Sequence, residues 1–256
     1  MTATRNPAPR LAPGCRLVAL DSVGSTNDEA KRLAGEGAGH LTFVWAGEQT
    51  AGRGRRGRAW HSPRGNLYVS VVLRPRCPVP KAMELGFVAG LAIADALASL
   101  VPAIPGRLLK WPNDVLLGGR KVAGILVESE APGAGPVEWV VLGSGVNVAS
   151  YPSRVERPAT SLAAEGCEVA VEALLGAYSE RIVAWTGVWA REGFPPVRRS
   201  WLDRAVGLGE AVEVRLHREV LKGIFAGMDD QGALLLDQPG GRRAVTVGEV
   251  FAGAAP

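Results

Sequence analysis

The spacing of apolar residues over roughly the first 206 positions predicts a domain that mixes strands with helices. Short apolar runs bounded by turn residues are typical of strands. They occur at Arg16–Asp21, Leu41–Glu48, Asn66–Leu73, Arg107–Lys110, Asp114–Leu117, Lys121–Glu130 and Glu138–Leu142. Longer segments predict helices that start near Ser25 and cover Lys81–Leu100, Glu168–Arg191 and Val197–Ala205. The pair Gly118-Gly119 predicts a hairpin turn between two of the strands.

Two of the predicted helices carry signals at their ends. The helix over Lys81–Leu100 is apolar on most of its sides, and a helix that is apolar all round is buried. We therefore expect it to lie under the sheet and to end at Pro102 and Pro105, because proline cannot continue a helix. Ser25 is the predicted N-cap of the first helix, and Asp28 suits the positive end of its dipole.

The pattern changes near residue 207, where apolar and polar residues alternate in short stretches separated by turns. The alternating residues are Val212, Val214, Leu216, Val245 and Val247, and the turn signals are Asp229–Gly232 and Pro239–Gly241. We predict a small SH3-like β-barrel over residues 207–256. It follows a main domain over residues 15–206 and a flexible N-terminal tail, rich in Pro, over residues 1–14.

Composition and charge are those of an ordinary globular protein. Of the 256 residues, 47% are hydrophobic and 21% are charged, and the net charge is +4 at pH 7. The positive excess is concentrated in one segment, whereas a broad nucleic-acid footprint would spread it over a face. No apolar run reaches the roughly 18 residues that span a membrane. Three scattered cysteines form no zinc or disulfide pattern, and we expect a reducing, cytoplasmic setting.

The segment from Gln49 to Trp60 concentrates arginine and glycine. Four arginines and three glycines alternate from Gly52 to Arg58, and no acidic residue occurs from Gln49 to Arg74. Because unpaired charges are costly to bury, we expect this flexible loop to fold around an anion. Guanidinium groups bind phosphate and carboxylate through paired hydrogen bonds. The glycine spacing also matches a dinucleotide fingerprint, which we reject because a loop follows it instead of a helix.

Three further groups of residues stand out against apolar surroundings. Lys110–Asp114 places a cation, an indole, an amide and a carboxylate at a predicted strand–turn–strand junction. Lys121 begins an otherwise apolar strand, and Gly124 within it would let a ligand approach the backbone. Gly143–Asn147 follows the strand that ends at Leu142, and its glycines would let a flat ligand lie on the backbone. The dipeptide Gly-Lys is absent, so any ATP would be held without a P-loop.

The order of these motifs resembles that of the biotin–protein ligases. The resemblance covers roughly residues 16–250 and rests on Ser25–Asn27, Gln49–Trp60, Lys110–Asp114, Lys121–Glu128 and Gly143–Asn147. It implies an α+β fold, similar to that of class II aminoacyl-tRNA synthetases, in which a mixed, mostly antiparallel sheet packs with helices. An SH3-like β-barrel follows. Some members add an N-terminal winged helix that binds DNA, but only about 15 residues precede the first predicted strand, so we expect the ligase-only form.

The resemblance implies an enzyme with two steps. It activates biotin with MgATP to biotinyl-5′-AMP, and it then transfers the biotinyl group to a lysine of a biotin carboxyl carrier domain. In the first step Lys121 and Arg55 would neutralise the repulsion between the biotin carboxylate and the triphosphate. In the second step Asp114 would orient the carrier amine or accept its proton. Mg²⁺ would be held through the ATP phosphates, with Asp114 as the candidate protein ligand.

The resemblance also assigns residues to two sites. The implied biotin site consists of Ser25, Thr26, Asn27, Gln49, Gly52, Arg53, Arg55, Trp60, Lys121, Gly124, Gly143 and Gly145. The implied nucleotide site consists of Arg55, Arg58, Trp60, Lys110, Asn113, Asp114 and Asn147. Trp60 would cover the ligand once its loop folds. We call the segment Gly52–Trp60 the Arg loop.

Two other functions fit parts of the sequence. A ligase for another small acid, such as lipoate, would use the same fold, although the Arg-Arg-x-x-Gly-Gly-Gly signature of lipoate ligases is absent. A nucleic-acid-binding module could use the Arg loop and the barrel, and it would bind oligonucleotides in a strongly salt-dependent manner. We predict biotin, ATP and a carboxylase carrier domain as partners, with no DNA and no membrane. The edge strands of the predicted sheet would also allow two copies of the chain to pair as a homodimer.

Overall fold

The computed structural model describes residues 9–101, 108–131, 135–153 and 158–252. Its larger sheet has the strands β1 (Arg16–Val23), β2 (Thr42–Gln49), β3 (Leu67–Leu73), β4 (Leu109–Lys110), β5 (Asp114–Leu117), β6 (Arg120–Glu130) and β7 (Trp139–Val146). Their order across the sheet is β1-β2-β3-β7-β6-β5-β4. Strands β1 and β2 are parallel, and the other neighbouring pairs are antiparallel. The predicted mixed, mostly antiparallel sheet is confirmed.

Helices cover both faces of this sheet. They are α1 (Thr26–Gly35), α2 (Val79–Met83), α3 (Leu85–Leu100), α4 (Val171–Glu192) and α5 (Phe194–Leu202). Ala30 of α1 packs in a small cluster with Val44, whereas the neighbouring Phe43 belongs to the main core with α3 and α4. Because successive residues of a strand point to opposite faces, α1 covers one face and the helices α3–α5 cover the other.

The predicted buried helix is confirmed in position but not in continuity. It starts at Val79 and is interrupted at Glu84, after which α3 continues to Leu100 with most of its residues buried. Within the described ranges, Val79–Leu100 is the one helical stretch long and apolar enough to cross a membrane by length and composition, although Lys81, Glu84 and Asp95 interrupt its apolar run. Of its most apolar window, 61% is buried inside the protein, so packing accounts for the apolar composition. Pro102 and Pro105 lie outside the described residues.

The N-terminal tail is tied down over its last residues. The amide of Ala12 donates to Ser179 Oγ at 2.8 Å. The carbonyl oxygen of Arg10 lies 2.8 Å from where a Cβ at Gly176 would stand, so the missing side chain makes room for the tail. The predicted flexibility therefore does not extend to Arg10–Ala12, because these residues bind α4, while Met1–Ala8 lie outside the described residues.

Two local features differ from the sequence predictions. Ser25 stands at the N-cap of α1 without a side-chain capping bond. The side chain of Gln49 replaces it, since Gln49 Oε1 accepts the amide of Thr26 at 2.8 Å. Strand β7 does not end at Leu142 but continues through Gly143–Gly145, because β3 and β6 pair with it on both sides. The glycines therefore lie in the centre of the sheet rather than after a strand.

The C-terminal region forms a second sheet, the antiparallel sheet predicted as a small barrel. Its strands are β8 (Ala211–Arg215), β9 (Val220–Met228), β10 (Leu234–Gln238), β11 (Gly241–Val245) and β12 (Glu249–Ala252), in the order β11-β10-β9-β8-β12. The predicted turns at Asp229–Gly232 and Pro239–Gly241 join β9 to β10 and β10 to β11. Val247 is 57% exposed and lies between two strands, so the predicted alternation stops at Val245.

The two sheets meet at Gly232. Trp111 Nε1 donates to the carbonyl of Gly232 at 3.0 Å, and the Phe87 ring packs against the same residue. A Cβ at Gly232 would lie 2.6 Å from Phe87 Cε2, and its φ of +86° favours glycine. Phe87 is itself held edge-on against Trp201, with ring centroids 5.6 Å apart. This contact leaves no room for a side chain at position 232.

We therefore expect Gly232→Ala to lower the free energy of unfolding by about 2–4 kcal/mol, through overpacking and backbone strain together. Gly240→Ala is the matched control, because a Cβ there meets nothing within 4 Å. It should stay within about 0.5 kcal/mol of the unchanged protein. Guanidinium chloride unfolding measures both variants, and equal stabilities would contradict the proposed packing at Gly232.

Candidate active site

A cavity of about 860 Å³ opens on the face of the larger sheet that carries α1. The start of α1, the Arg loop, the turn before β5 and the middle of β6 and β7 form its walls. The predicted site residues that line it are Ser25, Thr26, Asn27, Gln49, Gly52, Arg53, Arg55, Arg58, Trp60, Asn113, Asp114, Lys121, Gly124, Gly143, Gly145 and Asn147. Folding thus brings together motifs that lie up to about 120 positions apart in the sequence.

Lys110 is the exception among the predicted residues. It does not line the cavity, and its Nζ lies 5.3 Å from the centroid of the Phe251 ring on the C-terminal sheet. Such a position is typical of a cation–π contact. In this structure Lys110 thus contacts the C-terminal sheet, and its nucleotide role stays a prediction.

The Arg loop is folded as a small hairpin across the cavity. The amide of Gly54 donates to the carbonyl of Arg58 at 2.7 Å, and the amide of Trp60 donates to Gly52 at 2.9 Å. A single 3-10 turn at Arg55–Gly57 forms the tip. No helix follows the three glycines, in agreement with the rejection of the dinucleotide fingerprint.

Acidic residues distant in sequence neutralise two of the loop's arginines. Arg53 forms a two-pronged ion pair with Asp28, with Nη2 2.5 Å from Oδ1, and approaches Glu128 at 3.4 Å. The hydrogen bonds from Arg53 hold the pKa of Asp28 well below its usual value. Arg58 pairs with Glu249 of the C-terminal sheet. The sequence showed only that no acid is nearby along the chain, whereas the fold supplies these partners.

Arg55 is oriented by an amide. Its Nη1 donates to Asn113 Oδ1 at 3.0 Å. Asn113 is in turn fixed on β6, because its Nδ2 donates to the carbonyl of Ile125 at 2.6 Å and its own carbonyl accepts the amide of Ile125 at 3.0 Å. The turn before β5 therefore positions this guanidinium over the cavity.

The Trp60 indole lies on the glycines of the sheet. A Cβ at Gly145 would stand 2.6 Å from Trp60 Nε1, and one at Gly124 would stand 3.2 Å from the same ring. The Nζ of Lys121 lies 5.3 Å from the ring centroid. The indole N–H is buried and has no hydrogen-bond partner among the described residues. These two glycines thus make room for the Trp60 ring, which covers the cavity.

Lys121 and Asp114 form an ion pair at the wall of the cavity. The side chain of Asp114 is only 6% exposed, whereas that of Lys121 is 25% exposed. The ammonium group therefore remains accessible from the cavity while the carboxylate beneath it is shielded. Such a buried partner fixes the position of the cation.

Asn147 holds the segment that follows β7. Its Nδ2 donates to the carbonyl of Thr160 at 2.9 Å, and only 3% of the residue is exposed. The amide of Thr160 donates to Lys121, and the amide of Lys121 donates to Pro158, both at 2.9 Å. Asn147 thus contributes to the site by ordering a wall, in addition to lining the cavity.

A row of neutral polar groups lines the end of the cavity near α1. Gln49 Oε1 accepts the amide of Thr26, and Gln49 Nε2 donates to Ser62 Oγ at 3.0 Å. The Ser62 hydroxyl donates to the carbonyl of Trp60 at 2.9 Å, which closes the base of the Arg loop. Sequence reasoning missed Ser62, since a serine in a loop carries no signal of its partners.

Other cavity-lining residues also escaped the sequence analysis. They are Tyr151, Pro152, Ser153, Ala159 and Glu249. Glu249 belongs to the C-terminal sheet and reaches the cavity through its pair with Arg58. Only the packing of the two sheets against each other makes it part of the site.

The carboxylates of the cavity do not form a ready-made metal centre. Those that line it are Asp114 and Glu249, and each pairs with a cation of the cavity wall. Within the described ranges, no three His, Cys, Asp or Glu residues are grouped so that they could hold a metal ion. A hard cation such as Mg²⁺ often binds through one carboxylate together with substrate phosphates, and Asp114 suits that arrangement.

Known proteins resemble this chain along most of its length. The Biotin/lipoate A/B protein ligase family matches residues 21–147, and the Biotin protein ligase C terminal domain matches residues 207–253. The biotin–[acetyl-CoA-carboxylase] ligase of Paracoccus denitrificans is 45% identical over 91% of this chain and 99% of its own.

Solved structures agree with these sequence matches. The biotin protein ligase of Aquifex aeolicus in complex with biotin and ATP superposes with a TM-score of 0.78 at 29% identity, over 92% of this chain and 97% of that one. The ligase of Leishmania major in complex with biotinyl-5-AMP gives a TM-score of 0.67 at 25% identity, over 94% and 100% of the two chains. The chain described here is a member of the biotin protein ligase family.

Proposed function

We propose that this chain activates biotin with ATP to biotinyl-5′-AMP and transfers the biotinyl group to a lysine of a biotin carboxyl carrier domain. The observation that carries this proposal is the polarity of the cavity. Neutral hydrogen-bonding groups lie together at Thr26, Gln49 and Ser62, and the cations of Arg55 and Lys121 line another part of the same cavity, beside Asn113 and Trp60. A ligand with a neutral polar ring system at one end and a carboxylate at the other matches this order.

The neutral end suits the ureido ring of biotin. A ureido group offers one strong acceptor and two N–H donors in a fixed plane. Gln49 Nε2 can donate a second hydrogen bond, and Thr26 Oγ1 can accept one. A lipoate ring carries two sulfur atoms in place of these groups and would leave the row unpaired, which costs affinity. The geometry therefore favours biotin over lipoate.

The first step needs charge neutralisation more than a protein nucleophile. A carboxylate oxygen of biotin attacks the α-phosphorus of ATP, the bond to the bridging oxygen breaks, and pyrophosphate leaves with the electron pair. Lys121 and Arg55 both line the cavity, and we assign them to the region where the carboxylate and the phosphates would meet. Their charges offset the repulsion between the two anions, most strongly where Trp60 excludes water. Mg²⁺, held mainly by the phosphates, would supply further charge.

In the second step the lysine amine of the carrier attacks the acyl carbon, and AMP leaves. The amine must first lose a proton, since a lysine is mostly charged at neutral pH. Asp114 is the nearest carboxylate to Lys121 and the candidate proton acceptor. Absence of DNA and membrane binding, a cytoplasmic setting and a homodimer through a sheet edge stay predictions.

The direct test is mass spectrometry of a biotin carboxyl carrier domain incubated with the protein, biotin and ATP with Mg²⁺. We expect the mass increment of one biotinyl group on a single lysine. The same incubation with lipoate in place of biotin is the control for substrate class. A carrier that gains no biotinyl group, or one that gains lipoyl instead, would refute the proposal.

Gly143 provides a local test of the biotin end. A Cβ at this position would lie 2.1 Å from Asn27 Oδ1, so alanine forces the Asn27 side chain out of place. We expect Gly143→Ala to raise the Kd for biotin by roughly tenfold, because displacement of Asn27 costs the pocket about one hydrogen bond. Isothermal titration calorimetry measures the change, and Gly240→Ala, in the turn between β10 and β11 where a Cβ meets nothing within 4 Å, is the control.

A further inference from the structure

Four charged side chains form a closed ring beside the Arg loop. Asp28 and Lys31 belong to α1, Glu128 belongs to β6, and Arg53 lies in the first arm of the loop hairpin. Arg53 Nη2 lies 2.5 Å from Asp28 Oδ1, and Lys31 Nζ lies 2.8 Å from the same oxygen. Glu128 Oε1 accepts Lys31 Nζ at 3.0 Å and lies 3.4 Å from Arg53 Nη2, which closes the ring. We call these four residues the charge ring.

The charge ring differs from an ordinary surface ion pair in two respects. Isolated exposed pairs contribute little to stability, whereas two-pronged pairs and networks of several charges contribute more. Both arms of the Arg53 guanidinium bind Asp28, and each carboxylate of the ring serves two cations. The side chains of Arg53, Lys31 and Glu128 are between 27% and 29% exposed, so salt screens their attraction only in part.

The charges of the ring balance one another. Hydrogen bonds from Arg53 hold the pKa of Asp28 well below its usual value. Burial alone would raise the pKa of Glu128, but hydrogen bonds from Asn27 and Lys31 bring it below its usual value. Two carboxylates therefore stand against two cations, and Arg53 is neutralised without a ligand. An anion that bound Arg53 would have to compete with both carboxylates.

The Arg loop depends on contacts with the rest of the protein. A two-stranded hairpin by itself is at best marginally stable in water. Arg53 bridges Ala59 across the hairpin, and the amide of Trp60 donates to the carbonyl of Gly52. A guanidinium fastened to α1 and β6 thus holds the base of the hairpin, from which the Trp60 ring extends over the glycines of the sheet.

We propose that Asp28, Lys31 and Glu128 are positioning residues that fasten Arg53 and so keep the Arg loop folded over the cavity before any ligand binds. Arg53 is then a fastening point of the loop and not a ligand contact, in contrast to the role that the resemblance implies for it. The inference goes beyond the proposed function, because it concerns the unliganded protein and does not depend on which ligand enters the cavity.

The test is hydrogen–deuterium exchange of the unliganded protein, followed by mass spectrometry on peptides that cover the Arg loop. The amides of Gly54 and Trp60 are hydrogen-bonded within the hairpin, so their exchange reports its opening. We expect Arg53→Gln to speed this exchange by roughly tenfold, because the whole ring loses its contact with the loop. Asp28→Asn should speed it by roughly fivefold, since Glu128 still faces Arg53.

Two further variants show whether the effect comes from the charge ring. Glu29→Gln is the matched control, because it removes the neighbouring charge of α1, which pairs with Arg32 and not with the ring. It should leave the exchange of the loop unchanged. The double variant Arg53→Gln with Asp28→Asn should exchange no faster than Arg53→Gln, because both changes act through one contact. Added salt should speed the exchange of the unchanged protein more than that of Arg53→Gln.

The outcomes are distinct. Faster exchange of the loop in Arg53→Gln and Asp28→Asn, but not in Glu29→Gln, supports the proposal. Unchanged exchange in Arg53→Gln overturns it, and so does an equal acceleration in the buried helix α3, which would mean that the ring serves the stability of the whole protein. Because no ligand is added, none of these results depends on whether the protein makes biotinyl-5′-AMP.

Discussion

Lys121→Gln is expected to slow the formation of biotinyl-5′-AMP by about 10²- to 10³-fold, the usual effect of removing one preorganised charge from a reacting centre. The ammonium of Lys121 is held by Asp114 and lies against the ring of Trp60, in the part of the cavity where the two anions would meet under the proposed function. Glutamine cannot offset their repulsion. Biotin-dependent release of pyrophosphate measures the rate.

This substitution also leaves the buried carboxylate of Asp114 without its cation, which can destabilise the fold. The double variant Lys121→Gln with Asp114→Asn removes the unpaired charge, so it should recover thermal stability while adenylate formation stays slow. Lys222→Gln, whose side chain is 80% exposed on the C-terminal sheet, should leave both quantities unchanged. An active double variant would show that Lys121 serves stability and not the reaction.

Arg55→Gly is the second variant with a large expected effect. We expect it to release biotinyl-5′-AMP into solution on the order of 10- to 100-fold faster, because the Arg loop loses the hydrogen bond to Asn113 and the cation that would face the phosphate under the proposed function. Free adenylate is measured by chromatography after incubation with biotin and ATP in the absence of a carrier domain. Transfer to the carrier should fall in parallel.

Arg56→Gly is the matched control for that variant. Arg56 is the next residue of the same turn, is exposed, and has a φ of 58°, which glycine adopts at no cost. The change removes the same charge from the Arg loop and keeps the contact between Arg55 and Asn113. We expect little extra release of adenylate. Equal release by the two variants would mean that the net charge of the loop, and not the position of Arg55, retains the intermediate.

Much of the fold was accessible from local patterns. The strands around Leu41–Glu48 and Asn66–Leu73, the hairpin at Gly118-Gly119 and the buried helix after Lys81 are where the sequence places them. Apolar spacing and turn residues specify such elements through short-range physics. The exact ends were less accessible, since β7 runs on through Gly143–Gly145 only because both of its neighbours pair with it.

The residues of the cavity likewise divide into those that a local sequence pattern reveals and those that only their partners in the fold reveal. Motif residues such as Lys121 and Trp60 could be selected because their type contrasts with the apolar or basic segments around them. The sequence did not reveal Ser62 or Glu249, because a single polar residue in an ordinary setting becomes informative only when its partners are known. Lys110 carried a strong signal, yet its side chain turns to Phe251 on the other sheet.

The sequence by itself determined the family resemblance, the kinds of element and the set of charged and glycine-rich motifs that the reaction would need. Only the tertiary structure decided what neutralises the Arg loop, which glycines make room for Trp60 and Asn27, and which groups hydrogen-bond to Gln49. The physical reason is that hydrogen-bond direction and ion pairing depend on residues that are distant along the chain. Their proximity follows from the packing of α1, the two sheets and the loop, which no local pattern encodes.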